Sequence, residues 1–344
     1  MYNIGLVYNK PKNITRREKA LDPRSYRQPE MIARELKEAF LSKGHKVTMI
    51  PASENLIQDI RDAGDIDVIF NSCTGLNSKR EQANIVGMLE LVGLPFVGSG
   101  LDAQVTALNK GRANAVFQAA GVPISPFQVF RTPEDPLNED MEFPLFVKPE
   151  SEGSGLGITM DSIVRNEAEL RERVSYVIEN FGQHALVEGY LSGREFTVGI
   201  LGTEEPKALP ITEIKLPDDS GVSVQSVDAK ADNIIVRECP ARLTEELKEE
   251  IAEQALAAYH ALNCSELARI DVKLDDDNKP NIIEINTQPA LETGFEPYPL
   301  MAKAAGMTMA DLAESLVEEA IQAFNKEQQR MEEIEAEFNM KLAI

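Results

Sequence analysis

Four side chains near the C-terminal third of this chain have the types and spacing to do chemistry: Arg269, Asp271, Glu284 and Asn286. They sit in two alternating runs, 267–274 and 281–286, that flank an Asp-Asp-Asp-Asn turn, a β-hairpin pattern. Strand side chains return to the same face every second residue. Arg269 therefore shares a face with Asp271, and Glu284 with Asn286. Pairing of the strands predicts one cation, two carboxylates and a carboxamide on a strip otherwise made of Ile, Leu and Val. Buried charge is costly unless paired or bound to metal, and this oxygen set suits a hard cation such as Mg²⁺. The same residues also read as an Arg–Asp ion pair on a solvated face.

Three further segments carry polar chemistry. In 148–157, Lys-Pro-Glu-Ser-Glu-Gly-Ser-Gly-Leu-Gly, a strand ends in lysine and runs into glycines at 153, 155 and 157. Glycine lets backbone N–H groups approach phosphate oxygens, and lysine adds a mobile charge. A strand is expected to follow rather than a helix, so neither the P-loop nor the dinucleotide fingerprint applies; an incidental hairpin loop is the plain alternative. Lys110 opens a helix. The segment from Val187 to Glu195 is a short apolar linker between strands with an acid near each end, able to hold an adenine through its backbone.

Positioning these groups requires a layered fold. Strands are expected over 3–8, 46–50, 67–71 and 94–97, with helices over 28–42 and 82–92, an alternation that indicates parallel pairing. A helix over 109–120, a Pro-rich connection over 122–135, strands at 143–148 and 185–190 and a helix over 167–180 form a second unit. Strands at 195–201 and 207–211, an amphipathic helix over 244–262 and the hairpin form a third. Thr308 and Asp311 make a capping-box variant that opens an acidic helix running to about 340, whose charged end reads as solvated or, less simply, as a partner-binding segment. The expected division is 1–105, 106–190, 191–325 and a tail, 326–344.

The chain has 344 residues, 35 basic and 57 acidic, for a net charge of −22. That balance argues against nucleic acid and anionic membranes as partners and suits a required divalent cation. Cys73, Cys239 and Cys264 have no CxxC spacing, so a reduced cytoplasmic chain is expected. The first residues read as a strand start, not a signal peptide.

The order Lys110, Lys148 with its glycine loop, Glu188 to Glu195, then Arg269, Asp271, Glu284 and Asn286 resembles the ATP-grasp superfamily. Within it the chain resembles the D-alanine–D-alanine ligases, through 87–100 (GMLELVGLPFVGSG), 143–149 (FPLFVKP), 152–157 (EGSGLG), 191–198 (LSGREFTV), 268–272 (ARIDV) and 284–289 (EINTQP). The resemblance implies an α/β (α+β) three-domain ATP-grasp architecture with an N-terminal parallel-sheet domain, and ATP as the nucleotide. It places Lys110, Lys148 and Lys230 on the phosphates, with Ser154 and Gly155 in a loop closing over them. Glu188 and the Tyr190–Leu191 backbone would hold adenine, and Glu195 the ribose. Asp271, Glu284 and Asn286 would bind two Mg²⁺ ions, with Mn²⁺ as an alternative, and Arg269 would stabilise the transferring phosphoryl group. The implied chemistry phosphorylates a carboxylate and lets an amine attack the acyl phosphate. A homodimer is expected from the resemblance alone.

The departures cluster where this family binds its amino acids. The family's glycine-rich opening with a glutamate is a basic loop here (Lys10, Lys12, Arg16, Arg17, Lys19), with Glu18 a doubtful counterpart. A His-Gly pair becomes Asn71-Ser-Cys-Thr-Gly, a tyrosine becomes Ala231, Pro-Gly becomes Pro289-Ala290, and Phe295 stands near a substrate-binding serine. The expectation is an ADP-forming carboxylate–amine ligase for other small substrates, amino acids in kind; the rivals are D-alanine–D-alanine ligase itself and a non-catalytic nucleotide-binding protein. The basic loop reads either as a solvated segment or as a site for an anionic acceptor.

Overall fold

The computed structural model describes residues 1–10, 28–76, 81–153, 155–216 and 235–342. It is a mixed α/β fold with one parallel and two antiparallel sheets. The first sheet orders β2 (Lys46–Pro51), β1 (Asn3–Tyr8), β3 (Val68–Ser72) and β4 (Phe96–Val97), all parallel. Parallel sheets need cover on both faces. Ile4 and Leu6 pack towards α1 (Gln28–Ser42), while Val7 and Ile69 pack with α2 (Leu56–Asp62) and α3 (Gln82–Val92). Helices α4 (Leu101–Ala107) and α5 (Lys110–Ala119) then lead to the second sheet. This sheet orders β5 (Phe127–Phe130), β8 (Ala185–Gly189), β6 (Leu145–Pro149) and β7 (Ile163–Val164), all antiparallel, with α6 (Glu167–Phe181) on its apolar face.

The third sheet runs β12 (Val236–Glu238), β11 (Thr212–Lys215), β9 (Glu195–Leu201), β13 (Leu267–Leu274), β14 (Pro280–Asn286), with β10 (Lys207–Ala208) beside β9. One of its faces is apolar: Phe196, Val198, Ile200, Ile270 and Val272 pack on Ile251, Ala255, Ala258 and Tyr259 of α7 (Glu245–Ala261). α8 (Pro297–Ala304) and the docked first turns of α9 (Met309–Leu342) bury Tyr298, Met301, Leu312 and Leu316 in the core shared with the first sheet. The expected cap of α9 forms, with Asp311 N–H donating to Thr308 Oγ1 (3.1 Å) and Thr308 N–H to Asp311 Oδ2 (2.9 Å). From Asn325 onward its described side chains are exposed, Met331, Ile334 and Phe338 among them.

Three expectations differ. The Pro-rich connection over 122–135 contains β5. The segment after the glycine loop is a 3₁₀ turn, Met160–Ser162, and only a two-residue strand, because Thr159 and Ser162 cap each other. The strand expected over 207–211 stops at Ala208, short of Pro210, which has no N–H for a ladder, and β11 begins only at Thr212. The polar segment 216–236, expected from its composition to be a loop, lies mostly outside the described residues.

Glu266 joins three parts of the fold. It is 3% exposed; it accepts from Gly98 N–H (2.8 Å) and the Thr203 hydroxyl (3.0 Å), while Glu319 of α9 accepts from Thr203 N–H (3.0 Å). Burial pushes its pKa from 4.5 up to about 8; the two donors oppose that and Glu319 adds to it. The folded chain therefore binds this proton more tightly than the unfolded chain between pH 4.5 and about 8, so stability falls as pH rises through that window. Glu266→Gln, a mimic of the protonated acid, is expected to remove this fall. Thermal unfolding from pH 5 to 9 should show the variant's advantage growing with pH to about 5 °C; a constant offset would contradict it.

Candidate active site

The polar face of the third sheet is built in rows. Lys273 stands opposite Glu195, then Asp271 opposite Thr197 on one side and Glu284 on the other, then Arg269 opposite Gly199 and Asn286. Directly opposed residues share a face, so Arg269, Asp271, Glu284 and Asn286 lie together. The register shifts between Asp271 and Val272, where Val272 pairs with Ile282 and Ile283 is skipped. This bulge lets Ile282 and Ile285 both enter the core although they are three residues apart, while Glu284 and Asn286 keep the polar face.

Arg269 donates through Nε and Nη2 to the two oxygens of Asp271, each at 3.0 Å, and the Thr197 hydroxyl donates to Asp271 Oδ1 at 2.6 Å. Burial works against the Arg269 charge, but the Asp271, Glu296 and Glu284 carboxylates outweigh it and keep the guanidinium more basic than usual. Lys110, the first residue of α5, spans two sheets. Its Nζ lies 3.2 Å from Glu284 Oε2 and donates to the Glu152 carbonyl of the glycine loop at 2.5 Å. The helix start is fixed by Asn109, whose side chain accepts from Arg112 N–H.

Lys148, at the end of β6, is 3% exposed and its Nζ lies 2.6 Å from Glu188 Oε2 on β8. Asn114 of α5 donates to the other Glu188 oxygen at 3.0 Å. Beyond Lys148 the chain turns through Gly155 and Gly157 at φ +80° and +76°. A Cβ at Gly157 would lie 2.6 Å from Pro149 Cγ. Arg173 of α6 holds the far end of the loop, donating to the Gly157 carbonyl and to Ser162 Oγ.

In the linker between β8 and β9, Tyr190 stacks on Phe146 and lies under Lys273 Nζ, which is 3.7 Å from Glu195 Oε2. Tyr190 N–H already donates to the Pro144 carbonyl, which leaves the Tyr190 carbonyl and the Leu191 backbone to a base. Gly193 N–H donates to the Leu274 carbonyl at 3.0 Å, and a Cβ there would lie 2.6 Å from that same backbone oxygen. Gly193→Ala is expected to cost about 1–3 kcal/mol by overpacking and to weaken nucleotide binding by displacing the linker. Denaturant unfolding and calorimetric titration check both; unchanged values would contradict this close approach.

The structure thus brings Lys110, Glu284, Asp271, Arg269 and Asn286 to one face, and Lys148 to Glu188. Ser154, Lys230, Glu18, Ala231 and most of the basic loop lie outside the described residues. Asn114, Thr197 and Arg173 were not singled out by the sequence; only Thr197, two residues beyond Glu195 on its strand, had a usable signal, the shared face. Among the described residues no three His, Cys, Asp or Glu side chains are arranged to hold a metal ion by themselves. Two carboxylates with the Asn286 amide oxygen form an all-oxygen set whose chemistry fits magnesium.

A parallel-sheet unit followed by two antiparallel sheets, with lysines, a glycine loop and an acidic strip converging, defines an ATP-grasp ligase. Residues 116–318 match the family model described as D-ala D-ala ligase C-terminus. A D-alanine–D-alanine ligase of Acetivibrio thermocellus is 33% identical over 273 residues, covering 76% of this chain and 69% of that protein. The chain belongs to the D-alanine–D-alanine ligase family, whose members are ATP-dependent, ADP-forming carboxylate–amine ligases. The fold is also that of the Bacillus anthracis D-alanine–D-alanine ligase complexed with ATP (TM-score 0.74, 23% identity, 95% of this chain and 100% of that one). It is shared too by the VanG D-Ala:D-Ser ligase of Enterococcus faecalis (TM-score 0.69, 20% identity, 93% and 99%).

Proposed function

We propose that this chain phosphorylates a small carboxylate with ATP and joins it to an amine, and that the pair is not two D-alanines. The observation that carries the reading is Lys110, which reaches both the glycine loop and Glu284. In it, Lys110, Lys148 and Lys230 neutralise phosphate charge, Glu188 with the Tyr190–Leu191 backbone holds adenine, and Glu195 takes the ribose. Ser154 and Gly155 close over the terminal phosphate and keep water from the acyl phosphate. Asp271, Glu284 and Asn286 hold two Mg²⁺ ions, or Mn²⁺, which supply charge neutralisation at the transferring phosphoryl group. Arg269, fixed by Asp271, stabilises charge as the oxygen–phosphorus bonds exchange.

The division into 1–105, 106–190, 191–325 and 326–344, a cytoplasmic location and a homodimer belong to the same proposal. No helix among the described residues is long and apolar enough to cross a membrane. Altered specificity is supported by Asn71-Ser-Cys-Thr-Gly, Ala290 and Phe295 at positions where the family's substrate residues differ. One fold supports different acceptors, as the relative named for D-Ala:D-Ser ligation illustrates. A coupled ADP-release assay across pairs of amino acids and related amines tests the reading. Turnover with a pair other than two D-alanines supports it, and selective D-alanine dimerisation would refute the altered specificity.

A further inference from the structure

Gln288 was marked in the sequence only as part of the Glu-Ile-Asn-Thr-Gln-Pro run, and none of the nucleotide chemistry uses it. Its side chain leaves the third sheet and reaches the first. Both hydrogens of its Nε2 are spent on backbone carbonyls at the end of β3 and just beyond it: Asn71 O, within the strand, and Cys73 O, after it, each at 3.1 Å. Its own backbone N–H donates to Asn286 Oδ1 at 3.0 Å. That places one residue between a proposed metal ligand and a loop of the N-terminal sheet 215 residues away in the chain.

The amide orientation is set by those two carbonyls. A flipped amide would turn its oxygen on two other oxygens. In the orientation observed, Oε1 is buried and has no hydrogen-bond partner among the described residues, which costs stability. An apolar side chain of similar size would avoid that cost and would release the loop. The loop is itself braced: Cys73 N–H donates to Asn71 Oδ1 (3.0 Å), Thr74 N–H to Asn9 Oδ1 (2.9 Å), and Asn9 Nδ2 to the Gly75 carbonyl (2.6 Å). Asn9 directly follows β1, next to the basic segment that starts at Lys10. The neighbouring Thr287 provides a separate anchor, its hydroxyl donating to Gln104 Oε1 (2.7 Å), which also accepts from Gln82 Nε2 (2.6 Å). With that anchor in place, loss of the Gln288 bonds frees the 71–75 loop without separating the sheets.

We infer that Gln288 is a positioning residue that couples the Asn286 end of β14 to the loop 71–75, so that metal and nucleotide binding set the position of the N-terminal substrate loop. The inference rests on the proposed nucleotide and metal site. Hydrogen–deuterium exchange on the full chain tests it, with Mg²⁺ and adenylyl imidodiphosphate as the probe. In the unsubstituted chain the probe is expected to slow exchange in 145–150, beside the nucleotide, and by about fivefold in 71–75, where the coupling closes local opening. Gln288→Met, similar in volume but without donors, should retain probe affinity by calorimetry and protection at 145–150, and lose the probe-dependent slowing at 71–75. Gln288→Asn, which keeps the amide but shortens its reach, should behave like Gln288→Met and serves if that variant does not fold. Equal probe-dependent protection of 71–75 in the variants, or none in the unsubstituted chain despite protection at 145–150, would overturn the coupling. No probe binding at all would instead refute the nucleotide site, and the coupling with it.

Discussion

Glutamine in place of Glu284 is expected to reduce turnover by about a thousandfold or more, because the proposed metal site would lose one of its oxygen donors. The substitution keeps size and polarity but removes the charge that faces Lys110 Nζ at 3.2 Å. The side chain is 28% exposed, and its backbone stays in the β13–β14 ladder opposite Asp271. Unfolding should therefore shift by no more than a few degrees, since a partly exposed ion pair contributes about 1 kcal/mol or less. Steady-state ADP release paired with a melting curve separates the two effects. Loss of the folded transition would make the carboxylate structural, and retained turnover would remove it from the metal site.

Arg269→Lys is expected to lower kcat by about a hundredfold or more while changing the KM for ATP little, the pattern of a group used mainly in the transition state. The charge remains, but the planar fork that meets both Asp271 oxygens does not. An ammonium satisfies one oxygen at a time and sits at a different depth. Asp271 would retain only the Thr197 hydroxyl of its present side-chain donors named above. Kinetics with ATP varied at saturating substrates measure the split. Equal loss in kcat and ATP binding would make Arg269 a ground-state ligand instead.

The hairpin was legible because its chemistry follows from a period of two: Arg269 and Asp271 share a face on sequence grounds alone. The bulge beside Asp271 was not, since it depends on which isoleucines the core of α7 accepts. Asn114 was hidden too, 74 residues from the carboxylate it serves, while Thr197, equally far from Asp271, offered only the face it shares with Glu195. The parallel first sheet showed itself through strand–helix alternation, and the α9 start through Thr308 and Asp311. β5 was obscured by the prolines around it, and β10 was expected to run on to Ile211 because Ala208, Leu209 and Ile211 hide the break at Pro210. Gln288 is the sharpest case. Its type is visible in the sequence, but its two acceptors are carbonyls at and just beyond the end of the distant β3, which no local pattern encodes.

Transfer of ¹⁸O is the most direct measurement. Carboxylate substrates labelled with ¹⁸O, presented with amines, ATP and Mg²⁺, should yield ADP and inorganic phosphate that carries the label, because the phosphoryl group is bonded to the substrate's own oxygen before the amine displaces it. Unlabelled phosphate, or AMP with pyrophosphate, would show that this acidic strip does not serve carboxylate phosphorylation.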